Sequence, residues 1–384
     1  MDFELSEKQK RWQQAAIEFA RSQLDDPHLV ERDQSGQFWR EGFERCARFG
    51  FQGLPIPVEY GGQGEDVATT VAAMEGLGLG CADNGLIFAL NAALWTVAMP
   101  IASFGTDSQK ARYLPGLCAG RVIGANGASE PEAGSDVFSM QTTAVRRDDG
   151  AWILNGRKTW ITAGPIADLF LLFATTDPAL GVMGVTAFLI ERDRPGLGVV
   201  REIPKMGMRT APMGELALEN CVVPADNLLG REGRGSPIFH ESLEWERGAI
   251  LASALGSMRR QLDQVTAHAR KRKQFGQPIG KFQAVSNRIV DMAVRLETSR
   301  LLVYRYAWAR SRGDRTSSLA SMAKLHVSES FVQNSLDAVR VLGALGFAVE
   351  GGLERDLRDS VGGVIFSGTS DIQRNIIARG LGIV

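Results

Sequence analysis

The stretch "AWILNGRKTWITAG", residues 151–164, decides how this chain is built. Apolar and polar residues alternate along it, the two-residue period of a strand with one buried face. It lies within a longer region, from Val122 to about Leu229, that reads the same way. "DLFLLFATT" and "VTAFLIER" are further apolar runs, and the clusters "RRDDG" and "DRPG" mark turns between them. No amphipathic helical segment intervenes, so the expectation is a compact β-barrel or sandwich without crossover helices.

On either side the pattern is helical. Ser6 is placed to cap a helix through "EKQKRWQQAAIEFARSQL", whose Trp12, Ala16, Phe19 and Ala20 share a stripe, and "FWREGFERCARFG" stops at Gly50. After "GREGRGSP" three long amphipathic segments predict a four-helix bundle. The expected fold is α+β: an N-terminal helical domain over residues 1–118, a middle β-domain over 119–232 and a C-terminal helical bundle over 233–384. A cleft between the β-domain and the helices is a natural place for a cofactor.

At 384 residues the chain is too long for one simple core, and 44% hydrophobic with 23% charged residues is a soluble globular profile. A net charge of -1 gives no field that selects nucleic acid or an anionic membrane. Four cysteines and four histidines are scattered without metal-ligand or disulfide spacing, which points to reduced thiols in the cytoplasm. The run "GLIFALNAALWTVAMPIASF", residues 85–104, is long enough to raise a membrane question. It carries Asn91, Thr96 and Pro100 and no basic anchors, so a buried core helix is expected. "EGLGLG" follows a helical run with the spacing G-x-G-x-G; it fails as a dinucleotide loop and predicts close helix packing.

Four separated motifs stand in this frame. "GANGASEPEAGSD" offers backbone N–H groups and the hydroxyls of Ser129 and Ser135 to a flat polar ring, or is a polar turn capped by Asp136. Trp160 in "KTWITAG" is a cofactor-packing residue or plain β-core. The basic run in "RKRKQFGQPIGKFQAVSN" is a solvated helix end or a phosphate site. The last motif is "SGTSDIQRNIIAR".

Together with the helix–β–helix order, these motifs resemble the acyl-CoA dehydrogenase family over essentially the whole chain. The resemblance implies bound FAD, removal of the α-proton of an acyl thioester by a carboxylate, and hydride transfer to the flavin. It implies that Ala128, Ser129, Trp160 and Thr162 meet the flavin. Arg272, Gln274 and Phe275, with Arg340 and Gly343 of "RVLGALG", would hold the FAD diphosphate and adenine end across a subunit interface, as in a homotetramer. Thr369 and Asp371 complete the implied cofactor set, and Ser135, Arg247, Ser367 and Gly368 the implied substrate set. The electron acceptor would be an electron-transferring flavoprotein or O2.

Ser367 departs from that pattern, because many members place the base there as Glu in E-G-T. A serine hydroxyl stays protonated near neutrality and cannot serve unaided. Either the chain is no dehydrogenase, or the site is dead, or the base comes from elsewhere. "HESLEWERG" supplies a candidate: Glu246-Arg247 matches the place where isovaleryl-type members carry their Glu. The alternative is a surface carboxylate opposite Arg247 or Arg259. Glu241 and Glu244 point in other directions on the helix. "WERG" together with "IFSGTSDIQ" resembles the prolyl-carrier-protein dehydrogenases of pyrrole-forming biosynthesis, which implies a prolyl-like aminoacyl thioester on a carrier protein. "PKMGMRTAPMGEL" resembles the CoA-using version, so a short or branched acyl-CoA stays open, as does a flavin oxidase or monooxygenase on the same scaffold.

Overall fold

The computed structural model describes residues 4–383; residues 1–3 and 384, at the outer ends of the two helical segments, lie outside it. The first helix, Glu7–Gln23, starts on a capping box: Ser6 Oγ accepts from the Gln9 N–H while the Gln9 side chain accepts from the Ser6 N–H. The Arg40–Phe49 helix ends on Gly50 at φ 106°, a left-handed cap that favours glycine.

The Val67–Gly80 helix packs between Glu7–Gln23 and Ala252–Lys271 with backbones almost touching. A Cβ on Gly76 would stand 2.4 Å from the Gln13 carbonyl oxygen, and one on Gly78 only 1.9 Å from that of Ser253. The glycines of "EGLGLG" therefore serve helix contact. The apolar run Asn84–Phe104 is long and apolar enough to cross a membrane by composition, but 83% of that window is buried inside the protein. Its Asn91 is satisfied locally, donating to the Ile87 carbonyl and accepting from the Trp95 indole.

The β-domain is one eight-stranded sheet: β1 (Gly124–Gly127), β2 (Thr143–Arg146), β3 (Trp152–Thr162), β4 (Leu169–Thr175), β5 (Val185–Glu191), β6 (Leu197–Glu202), β7 (Met213–Val223) and β8 (Leu228–Leu229). The order is β6-β7-β3-β2-β4-β5-β8, with β1 parallel to β4. β1 and β2 share one edge of β4, and β2 meets it only at Thr143↔Thr175. β4 is buried along its whole length, which is why "LFLLFAT" shows no alternation.

The C-terminal bundle comprises Gly235–Ala249, Ala252–Lys271, Gln283–Ser311 and Ser317–Leu342, followed by the shorter Leu353–Gly362 and Ser370–Gly380. One core cluster runs from Ala16 through the sheet to Phe331 and joins all three segments. A smaller cluster of Val265, Met292, Val341 and Leu342 closes the far end of the bundle.

Candidate active site

Glu246 lies near the C-terminal end of the Gly235–Ala249 helix and is buried. Burial disfavours the charged form and pushes its carboxyl up to about 7, while Ser367, Arg247 and Lys324 act in the opposite direction. It is not a surface partner of Arg259, which pairs with Asp263 instead. Glu241 and Glu244 turn to another face and bind Arg310, so only one of the three glutamates enters this site.

Opposite Glu246 stands the turn at 367–368. Ser367 has φ 58° and Gly368 φ 87°, so the chain reverses sharply before Thr369 caps the Ser370–Gly380 helix. Three side chains pin the turn's carbonyls. Arg247 Nε donates to the Ser367 carbonyl at 2.9 Å, and Gln373 Nε2 donates to both the Ser367 and Gly368 carbonyls at 3.1 and 2.8 Å. Lys324 Nζ donates to the Gly368 carbonyl at 2.9 Å. The Ser367 hydroxyl is buried and lacks an aligned hydrogen-bond partner, although it is close enough to Glu246 to steady the carboxylate. Among the described residues the Ser367 N–H has no backbone acceptor.

The β-domain brings its motifs to the same helix. Asn126 on β1 donates to the Thr96 carbonyl at 3.1 Å and to Ser242 Oγ at 3.4 Å. Ser242 and Glu246, four residues apart, share one helix face. The loop after β1 is stitched to β3: the Thr159 N–H donates to the Ser129 carbonyl at 3.0 Å, and buried Lys158 reaches the Ala128 carbonyl at 3.3 Å and Glu130 Oε1 at 2.7 Å. Burial alone would raise the Glu130 carboxyl, but Lys158 and the Gln141 and Thr142 N–H groups hold it below the usual range. Trp160 follows at a register break in β3, with φ 61° and 56% exposure. The bulge turns its indole out of the core, so the plain β-core reading does not hold. Thr162 is half-buried at the end of the strand, and Ser135 is exposed on the loop.

The remaining motif residues are not assembled here within one chain. Arg272, Gln274 and Phe275 sit on a two-stranded hairpin, Lys273–Gln274 against Gln277–Pro278, where Phe275 is 94% exposed. Arg340 is exposed and Gly343 takes φ 60° at the end of Ser317–Leu342. Both groups flank the small far-end cluster. Lys324 and Arg340 share that helix, which separates the two ends by about 24 Å at 1.5 Å per residue. Asp371 is exposed and pairs with Arg374 on its own helix.

Lys324, Gln373, Lys158 and Glu130 were not singled out from the sequence. Lys158 had a faint signal, a lysine where the alternation of β3 puts a buried side chain. Lys324 lies in "SMAKLHVSES", and nothing local distinguishes it from a solvated helix lysine.

Three family segments match in order: the acyl-CoA dehydrogenase N-terminal domain at residues 6–121, the middle domain at 125–221 and the C-terminal domain at 233–382. The L-prolyl-(peptidyl-carrier protein) dehydrogenase of Pseudomonas fluorescens is 43% identical over 381 residues, covering 99% of this chain and 100% of that protein. Among solved structures, the prolyl acyl carrier protein oxidase AnaB superposes with a TM-score of 0.97 at 49% identity, over 99% of this chain and 100% of that one. PigA with FAD and proline gives 0.97 at 40% identity over the full length of both. With the same three segments, in the same order, across nearly every residue, this chain belongs to the acyl-CoA dehydrogenase family.

Proposed function

We propose that the chain is an FAD-dependent dehydrogenase of an aminoacyl thioester, prolyl-like and tethered to a carrier protein, acting in the cytoplasm with Glu246 as its base. The observation that carries the reading is a buried glutamate facing a turn that has lost the family's usual carboxylate. The substrate class rests on relatives named for prolyl carrier proteins.

The residues present fit FAD. Trp160 offers an exposed indole beside the polar loop at 128–129, and Arg272 offers an exposed guanidinium suited to a diphosphate. Ala128, Ser129, Trp160, Thr162 and Thr369 would hold the flavin half. Arg272, Gln274, Phe275, Arg340 and Gly343, on the far end, would hold the diphosphate and adenine of a neighbouring subunit's cofactor, while Asp371, in the first turn after Thr369, would belong with the flavin half. The outward stripe Val290, Val294, Leu301 and Trp308 on Gln283–Ser311 is apolar and exposed, which supports a homotetramer. Bound FAD supplies the acceptor for the β-hydrogen.

The chain's own part is the proton. Glu246 takes the α-proton, and its raised affinity for protons makes it a stronger base than a solvated carboxylate. The Ser367 N–H, left without a backbone acceptor, is the donor offered to the thioester oxygen as charge develops there. Arg247 and Gln373 fix that turn by its carbonyls. Ser135, exposed on its loop, and Gly368 would line the thioester's approach.

Anaerobic mixing with prolyl-carrier protein should bleach the flavin, and Glu246→Gln should keep FAD but abolish bleaching; a fully active variant would sink the assignment. Faster bleaching by a short acyl-CoA would favour the CoA reading. For the electron acceptor we favour O2, because AnaB is named an oxidase. Stoichiometric peroxide formation on aeration supports it, and reoxidation only by an electron-transferring flavoprotein opposes it.

A further inference from the structure

Lys324 is buried to 0% exposure in the middle of the protein, and among the described residues its ammonium makes one hydrogen bond, to the Gly368 carbonyl at 2.9 Å. The Phe366 ring lies 5.9 Å away on another side. Burying an ammonium costs several kcal/mol unless something compensates it. Pinning the turn does not require a charge: the neutral amide of Gln373 already donates to the same carbonyl at 2.8 Å, and Arg247 holds the adjacent one. The charge therefore has another beneficiary, and Glu246 is the anion that acts on it most strongly.

Resting on Glu246 as the base, we propose that Lys324 is a positioning residue for proton abstraction: it fixes the Gly368 carbonyl from the Ser317–Leu342 helix and supplies the buried positive charge that keeps the neighbouring glutamate ionisable. The other charged and titratable groups around the pair come from three elements. Arg247, Glu244 and His240 share the helix of Glu246, Glu329 shares that of Lys324, and Arg310 and Tyr306 face them from Gln283–Ser311. Arg310 is occupied by Glu241 and Glu244, which leaves Arg247 and Lys324 as the cations acting on Glu246. Burial draws Lys324 itself down to about 8, so the site holds two groups poised close together in pH.

The test combines the pH profile of anaerobic flavin reduction with infrared difference spectroscopy of the protonated carboxyl, on the FAD-loaded Lys324→Met and Lys324→Arg proteins. The Met variant should bind FAD, move the Glu246 midpoint up by about one unit and lose about fivefold in reduction rate at pH 7, regained at higher pH. The Arg variant should keep the original midpoint. Should Met fail to fold, Lys324→Gln replaces it. An unmoved midpoint in Met or Gln, with the rate lowered equally at all pH values, would overturn the proposal and leave Lys324 a structural contact. Glu246→Gln is the control: its spectrum subtracts the buried Asp359 carboxyl, which also titrates at about 7, and if flavin reduction persists there, it is the base assignment that falls.

Discussion

Replacing Glu246 by Gln should make the protein more stable, in a way that depends on pH. The folded state holds this carboxyl at about 7 against 4.5 for a free one. A raised value means that the native state binds the proton more tightly than the unfolded chain does. The stability contributed by the protonated form is therefore complete below about pH 4.5 and lost as pH climbs through 7. Two and a half units at 1.36 kcal/mol each is about 3 kcal/mol, an upper figure because Lys324, drawn down to about 8, titrates in the same range. Asp359, also raised to about 7 by burial, titrates in both proteins and cancels in the difference. Denaturant unfolding of the two proteins, at matched FAD and at about pH 5 and pH 9, measures the effect. The Gln variant should gain up to about 3 kcal/mol on the unaltered chain between those conditions. A difference independent of pH would refute the picture of a buried, titrating base.

Three further outcomes follow from the same geometry. Lys158→Met leaves Glu130 buried and unpaired, so it should cost about 3–5 kcal/mol in denaturant unfolding and loosen FAD through the 128–130 loop. Trp160→Ala removes an exposed side chain, so unfolding should shift by less than about 0.5 kcal/mol, while FAD affinity, followed by flavin fluorescence, falls at least about tenfold. Gly368→Ala forces a side chain into φ 87° with its Cβ 3.0 Å from Gln373 Nε2. It should lower flavin reduction at every pH without moving the midpoint, at a strain of about 1–3 kcal/mol.

The order of helices, strands and helices was legible because periodicity is a local property: the alternation in β3 and the stripe on Glu7–Gln23 each bury one face. The capping box at Ser6 and the stop at Gly50 were equally local. The proposed base was legible only by compensation, a serine at 367 set against a glutamate at 246, and the structure brings those positions together from 121 residues apart. What stayed hidden was tertiary. Trp160 turns outward on a bulge that alternation alone places elsewhere. Lys324 is buried because neighbouring elements close over it, which no helical pattern announces. Arg272 and Arg340 stand exposed at the far end, Arg340 paired only with Asp337 one turn back on its own helix, since their proposed partner is the cofactor of another copy.

The contact between the Val67–Gly80 and Ala252–Lys271 helices has a practical side. A Cβ on Gly256 would come within 2.1 Å of the Glu75 carbonyl oxygen, just as one on Gly78 would strike Ser253. Each stretch is shaped to the bare main chain of the other, so neither tolerates a stranger opposite it. Anyone recombining relatives to alter substrate preference must let residues 67–80 travel with 252–271, or the chimera will be wedged apart at its keel.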